Sequence, residues 1–402
     1  MKLRLFAAPF ADAVAHAARA LPARPPVPVL AGILLRTGED GLHLGAFDYE
    51  VCATTRADAE IADDGTALVP GRLLTDIAKT LPKGAEVDIE LSRDRLLITC
   101  RSARFTLPTL PVDEYPALPA PPDTVFTVDG DALADAVAQA VVAAGTDHTL
   151  PALTGVQMIL EDTRLTLAAT DRYRFAVREL TVKPTGTLPA ATTRTGRKKG
   201  EDGADPAEEA GRAARTVLVP AKVLSDAART LAGEHPVAIG WSDGQVTLSV
   251  PGRSVGTRLL EAEFPKFRNL LPEPDDAELT ITVPVDEALT AIKRVALVAS
   301  DRRPVRLAVD GDQLLIDAGD GDDAHAADRI PCTAAGAIGD RVRGCDAAFN
   351  PGYLTDCLKA LTTPEARFHL TSSTKPVLVL GHSGEDTAGD YRHLLMPIRL
   401  QG

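Results

Sequence analysis

The sequence predicts an α+β fold made of three tandem copies of one domain, each with antiparallel sheets and two helices. Three observations carry this. A Pro-led apolar run occurs three times. A strand signature, L-x-[LI]-x-A-x-D, follows each run. A helix signature, L-[ST]-D-x-x-[KR], follows later in each copy. One such match arises easily by chance; three in a constant order mark triplication.

The Pro-led runs are Pro28-Val29-Leu30-Ala31-Gly32-Ile33-Leu34-Leu35, Pro151-Ala152-Leu153-Thr154-Gly155-Val156-Gln157-Met158 and Pro304-Val305-Arg306-Leu307-Ala308-Val309. Apolar runs of this length after a Pro read as strands. The strand signatures run Leu42 to Asp48, Leu165 to Asp171 and Leu314 to Asp320. Turn formers join each pair, such as Gly38-Glu39-Asp40-Gly41 and Asp310-Gly311-Asp312.

A helix is expected before each Pro, over residues 10–21, 131–145 and 285–299. Apolar residues recur there at three and four, as in Leu133, Val137, Ala140, Val141 and Ala144. Acids near the second and third starts, Asp131 and Asp286-Glu287, suit the positive end of a helix dipole. The start of the chain superficially resembles a secretion signal. Asp12 and His16 cut its apolar core short, so it reads as an amphipathic helix beginning near Pro9.

The later helices contain Leu74 to Lys79, Leu224 to Arg229 and Leu354 to Lys359. They begin 46, 73 and 50 residues after their Pro. The middle copy therefore carries about 25 extra residues, placed at 190–214. That segment lacks strong apolar residues and reads as a disordered loop. Pro- and acid-rich stretches set boundaries at 1–120, 121–274 and 275–402.

Composition narrows the function classes. The chain has 402 residues, 45% of them hydrophobic, and a net charge of −13. The charge argues at first against nucleic acid, although binding depends on where charges sit. Cys52, Cys100, Cys332, Cys345 and Cys357 contain no CxxC pair, which disfavours a disulfide framework or zinc site. A reduced, cytoplasmic protein is expected, with no membrane span. There is no GxxxxGK[ST], HExxH or GxSxG. An enzyme using Asp48, Asp171 and Asp320 is a distant alternative, because equivalent positions in three domains do not converge on one site. No catalytic residue, metal site or cofactor is expected.

Several segments carry a resemblance to a known family: Arg24-Pro25-Pro26-Val27-Pro28, Arg104-Phe105-Thr106-Leu107-Pro108, Ala169-Thr170-Asp171-Arg172-Tyr173-Arg174, Glu263-Phe264-Pro265, Phe349-Asn350-Pro351 and Met396-Pro397-Ile398-Arg399-Leu400. Together they resemble the β sliding clamp of bacterial DNA polymerase III over nearly the whole chain. The resemblance implies a head-to-tail homodimer closed into a ring, with sheets outside and helices around duplex DNA. It implies a processivity factor, not an enzyme, whose partners are the polymerase III α subunit, the clamp loader and other clamp-motif proteins. A divergent second clamp, acting as a non-replicative or inhibitor-tolerant scaffold, is the alternative.

The repeat itself supplies the candidate DNA contacts. Lys79, Arg229 and Lys359 hold one equivalent helix position, and Arg72 and Lys222 lie seven residues before the first two. Arg19, Lys293 and Arg294 come from the other helices, and Arg24, His148 and Arg303 from loops before the first strands. Such contacts are to phosphates, without base readout. The competing reading is solvated surface charge with i,i+3 partners.

The resemblance also implies a partner-peptide pocket: Leu153, Thr170, Arg172, Tyr173, Arg174, Phe175, Pro272, Pro376, Leu394, Met396, Pro397, Ile398 and Arg399. Arg174 and Arg399 are expected to offer hydrogen bonds to a peptide. The family pattern has a smaller residue at Arg172 and an aliphatic at Phe175, so peptide preference is expected to differ. Leu150 replaces a frequent Arg. The implied dimer contacts are Phe105 and Leu107 of one copy against Ala296 and Leu297 of the other.

Overall fold

The structure is a computed structural model; it describes residues 1–185, 215–233, 235–242, 244–299, 304–319, 324–336, 347–372, 374–384 and 386–398. The insertion at 190–214, Arg303, Asp320, Cys345 and Arg399 lie outside the described residues. Among these residues are six α-helices: α1 (Ala7–Ala17), α2 (Gly71–Thr80), α3 (Gly130–Val141), α4 (Ala221–Leu231), α5 (Val285–Val295) and α6 (Pro351–Ala360). The strands are all antiparallel and short 3-10 turns lie between elements, so the fold is α+β as expected, with two described helices for each of the three copies.

By contacts the chain forms two compact units. One comprises Met1–Asp131, Lys183–Leu188 and Asp226–Leu259; the other comprises Ala132–Val182, Pro189–Ser225 and Leu260–Gly402. The middle copy is thus shared between them. Sheet ladders that run from one copy into the next explain this.

In the first unit, a five-stranded sheet runs in the order Glu60–Asp63, Lys2–Phe6, Glu86–Ser92, Arg95–Cys100, Ala103–Pro108. Strand Lys2–Phe6 alternates exposed and buried, with Leu3 and Leu5 inward. The charged start of the chain is therefore a sheet strand. α1 then begins at Ala7, earlier than expected, and buries Phe10, Ala13, Val14 and Ala17. That spacing is one helix face, and full burial of a residue such as Phe10 contributes about 1.5–3 kcal/mol.

The same unit holds a nine-stranded sheet in which strand Val51–Ala57 of copy one pairs with Arg253–Arg258 of copy two. The register is Thr55 opposite Arg253 through Val51 opposite Thr257. In the second unit, strand Arg174–Thr181 of copy two pairs with Asp386–Leu395 of copy three, from Arg174 opposite Leu395 to Arg178 opposite Tyr391. These two junctions are equivalent position by position, because Val51 and Arg174 both lie three residues after their signature Asp.

Among the described residues, two strands of the same two kinds have only one neighbour. Ala103–Pro108 ends the five-stranded sheet, and His325–Pro331 ends a four-stranded sheet of the second unit. They correspond to Arg253–Arg258 and Val51–Ala57, the pair that makes the first junction.

One expectation needs correction. The first residues of two Pro-led runs are 3-10 turns, Pro28–Ala31 and Pro151–Leu153, and the strands start later, at Gly32 and Gly155. Proline fixes φ near −65° at the first turn of a helix as readily as before a strand, so the run alone does not decide.

Candidate peptide pocket and nucleic-acid interface

The second junction builds a tight turn at Asp171. Its Oδ1 accepts hydrogen bonds from the backbone N–H groups of Tyr173 and Arg174, both at 3.0 Å. Thr170 Oγ1 donates to the Arg174 carbonyl at 2.7 Å and accepts from Arg172 N–H at 3.1 Å. The turn forces Arg172 to φ 83°, a left-handed conformation that non-glycine residues rarely adopt. Asp48 makes the same turn at the first junction, accepting from Glu50 and Val51 N–H at 3.0 and 2.7 Å, with Tyr49 at φ 75°. The repeated Asp residues at 48 and 171 are turn formers.

Arg174 is the centre of the site, but inward. Its Nε donates to Asp171 at 2.9 Å and its Nη1 to Asp356 at 2.8 Å, and its side chain is 11% exposed. The guanidinium lies 4.4 Å from the Tyr353 ring centroid, and Tyr353 stacks with Tyr173 at 6.4 Å. Arg174 thus orders the aromatic surface, whereas the sequence suggested a direct peptide donor. The missed partner, Asp356, belongs to the helix signature of copy three.

Tyr173 in turn accepts a 2.9 Å bond from Met396 N–H through its carbonyl, which ties the end of the chain to the turn. Tyr173, Met396 and Ile398 are 55%, 42% and 38% exposed, a large apolar showing for neighbouring segments. Leu153 is brought in as well. A Cβ on Gly145 would lie within 4 Å of both Leu153 and Asp171. Leu394 is buried opposite Leu378, in the strand that follows half-buried Pro376. Pro397 is half-buried, and so is Pro272, beside Leu271.

Phe175 packs on two clusters, against Leu271 and Leu394 on one side and Phe264 and Phe267 on the other. Its ring centroid is 5.0 Å from that of Phe267. A separate charged recess of about 230 Å³ sits nearby, edged by Phe267, Leu271, Arg268, Glu273 and Arg392. None of the thirteen expected pocket residues lines it.

The candidate DNA residues are all exposed where described. Lys79, Arg229 and Lys359 each sit in the last turn of their helix, α2, α4 and α6. Arg229 is paired with Asp226 at 2.6 Å, yet its side chain is 73% exposed. Arg72 donates to the Ala23 carbonyl at 2.6 Å, which steadies the Arg24 loop. Arg19 lies in a 3-10 turn after α1. Lys222 opens α4, and His148 lies in the turn region after α3. Lys293 and Arg294 share the last turn of α5, with Arg294 held by Asp328 at 2.5 Å. Gln139 Nε2 donates to the Ala360 carbonyl at 2.8 Å and so pins the end of α6 beside Lys359.

The dimer residues divide. Leu297 is 84% exposed and Ala296 half-buried just past α5. Leu107 is 1% exposed inside the first unit's core, and Phe105 is half-buried against it. Residues two apart on a strand share a face, and here that face is inward.

The descriptions of three family domains match in order: the N-terminal domain of the DNA polymerase III beta subunit at residues 1–119, its central domain at 127–193 and 205–266, and its C-terminal domain at 268–399. A beta sliding clamp of Streptomyces coelicolor is 43% identical over 410 residues, covering all of both chains. The chain belongs to the bacterial β sliding clamps.

A clamp homolog from Streptomyces muensis, GriR, is 36% identical and covers 97% of this chain and 96% of its own. The fold agrees with solved clamps at full coverage of both chains and 24% identity. The Bacillus subtilis clamp gives a TM-score of 0.84, and a Pseudomonas aeruginosa clamp bound to griselimycin gives 0.85. The chain is a sliding clamp by family and fold.

Proposed function

We propose that two copies of this chain close head to tail around duplex DNA and tether the replicative polymerase through the pocket at the second junction. The three domains are 1–120, 121–274 and 275–402, and the assembly acts in the cytoplasm as a non-catalytic processivity factor. The observation that carries the reading is the repeated junction. Among the described residues, two of three equivalent strand pairs are made within the chain, and the third pair, Ala103–Pro108 and His325–Pro331, is left as two open edges. Two open edges of complementary kind on one chain suit a heterologous interface that closes. Closure also removes exposed edges.

Lys79, Arg229 and Lys359, at one position of three equivalent helices, supply sequence-independent phosphate contacts. Arg19, Arg24, Arg72, His148, Lys222, Lys293 and Arg294 add to them. Tyr173, Met396 and Ile398 supply the exposed apolar surface for a polymerase, loader or repair-protein peptide. Met suits a surface that accepts several sequences.

The test is processive synthesis with the cognate polymerase and loader, together with retention on nicked circular DNA. A clamp stays on the circle and leaves once the circle is cut. A monomer in sedimentation, or equal retention on linear DNA, overturns the reading.

A further inference from the structure

The first junction forms a half-open cavity of about 420 Å³ within the first unit. Its position follows from the two ladders. Cys52 stands where Phe175 stands at the second junction, Thr54 where Val177 stands, and Gly256 where Leu394 stands. Thr247, opposite Gly256, stands where Leu378 stands. Every one of these exchanges puts a smaller or more polar side chain at the first junction. The space that Phe175 and Leu394 fill at the second junction is open at the first.

The open space has a chemical character. Phe47 and Tyr49 form one wall, their rings 5.6 Å apart and tilted by 58°. Pro119 and Pro121 also line the cavity. Its polar side holds the Thr54 and Ser254 hydroxyls, 2.7 Å apart. Two hydroxyls bring two protons, and their mutual bond uses one, so the pair keeps a donor and lone pairs for a ligand. His16 Nε2 lies 3.0 Å from the Ser254 carbonyl and fixes that strand. The rim carries one acid and one base, Glu50 and Arg258, 3.9 Å apart and both well exposed. A rim with balanced charge favours a neutral segment over a polyanion, which argues against nucleic acid here.

We propose that this cavity is a second peptide site, which takes the phenol ring of a tyrosine carried on an extended segment of a partner protein. The ring lies between the aromatic and proline walls, and its hydroxyl bonds the Thr54–Ser254 pair. The cavity chemistry stands on geometry alone; that the occupant is a partner's segment rests on the clamp reading above.

The test uses the full-length protein and two probes, N-acetyl-tyrosine amide and N-acetyl-phenylalanine amide, followed by ligand-observed NMR titration. The tyrosine probe is expected to bind about tenfold more tightly than the phenylalanine probe, since only it satisfies the hydroxyl pair. Gly256→Leu, which installs the residue of the second junction, is expected to abolish binding. Tyr49→Gly keeps the turn, raises the melting temperature and weakens binding. Met396→Glu, at the second junction, leaves binding unchanged. No binding, equal binding of the two probes, or loss only in Met396→Glu overturns the proposal. Retention on circular DNA, measured on Gly256→Leu, is expected to persist, so failure here leaves the clamp reading separately testable.

Discussion

Arg174 and Asp356 are 182 positions apart in sequence, and their side chains meet at 2.8 Å. This bond joins the Asp turn of copy two to the α6 helix of copy three and fixes Tyr353 under Tyr173. Arg174→Ala leaves Asp171 with one fewer donor and removes the cation over Tyr353. It is expected to cost about 2 kcal/mol, in the range of hydrogen bonds to charged groups. Asp356 is 48% exposed, so Asp356→Asn is expected to cost under about 1 kcal/mol. Urea unfolding of both variants checks the order.

Arg172 occupies a left-handed turn position at φ 83°. Glycine adopts that conformation without a Cβ penalty, so Arg172→Gly is expected to stabilise the fold by about 1 kcal/mol. Arg172→Val, with a branched Cβ, is expected to destabilise it. Thermal unfolding of the two variants should move in opposite directions.

On the proposed ring, the same register is expected at the protomer boundary. Thr54 and Ser254 touch at the first junction. Leu42 pairs with Ala57, and its equivalent Leu314 pairs with Ile330, so Ala327 corresponds to Thr54. Cys100 pairs with Ala103 as Val250 pairs with Arg253, so Arg104 corresponds to Ser254. Arg104 and Ala327 are both exposed. The double variant Arg104→Cys with Ala327→Cys is expected to form a covalent dimer on oxidation. Non-reducing electrophoresis reads it, and a persistent monomer counts against the register.

His393 is fully buried, and burial pushes its imidazole down to about 3, with Arg174 adding to the effect. Its Nδ1 bonds Tyr391 Oη at 2.7 Å, and Tyr391 donates on to the Gln139 carbonyl. The unfolded chain binds a proton near pH 6.5 and the folded one does not. Stability is therefore full above pH 6.5 and falls as the pH drops toward 3. His16 and His369 are displaced the same way by burial. His393→Asn is expected to flatten the slope of unfolding free energy between pH 6.5 and 5 by about 1.4 kcal/mol per pH unit at most.

Replacing Lys79, Arg229 and Lys359 together by Ala is expected to lower the salt dependence of DNA retention. Each phosphate contact contributes about 0.9 to the logarithmic slope. Dissociation from nicked circles across a salt series measures it, and an unchanged slope removes these residues from the interface.

The triplication was legible because Asp48 and Asp171 make the same turn, and a turn leaves the same residue in each copy. The face of a strand was harder. The resemblance implies Phe105 and Leu107 as dimer contacts without saying which face each takes, and the ladder turns Leu107 into the core. The Arg174–Asp356 bond was invisible, since no local pattern encodes a partner so remote. The first-junction cavity left no trace either. It is made by Gly256, Cys52 and Thr54, residues defined by what they lack, and absence of bulk has no periodicity.

Two unlike open edges on one chain also set a polymerisation problem. A second copy added at one edge still presents the other, and only the angle between successive copies decides whether growth stops at two. On the proposed assembly, chemistry at Ala103–Pro108 and His325–Pro331 would set how tightly copies join, while the ring size would be a matter of accumulated rotation. A substitution that leaves both strands intact but alters that rotation would turn a closed pair into a longer cycle or an open fibre.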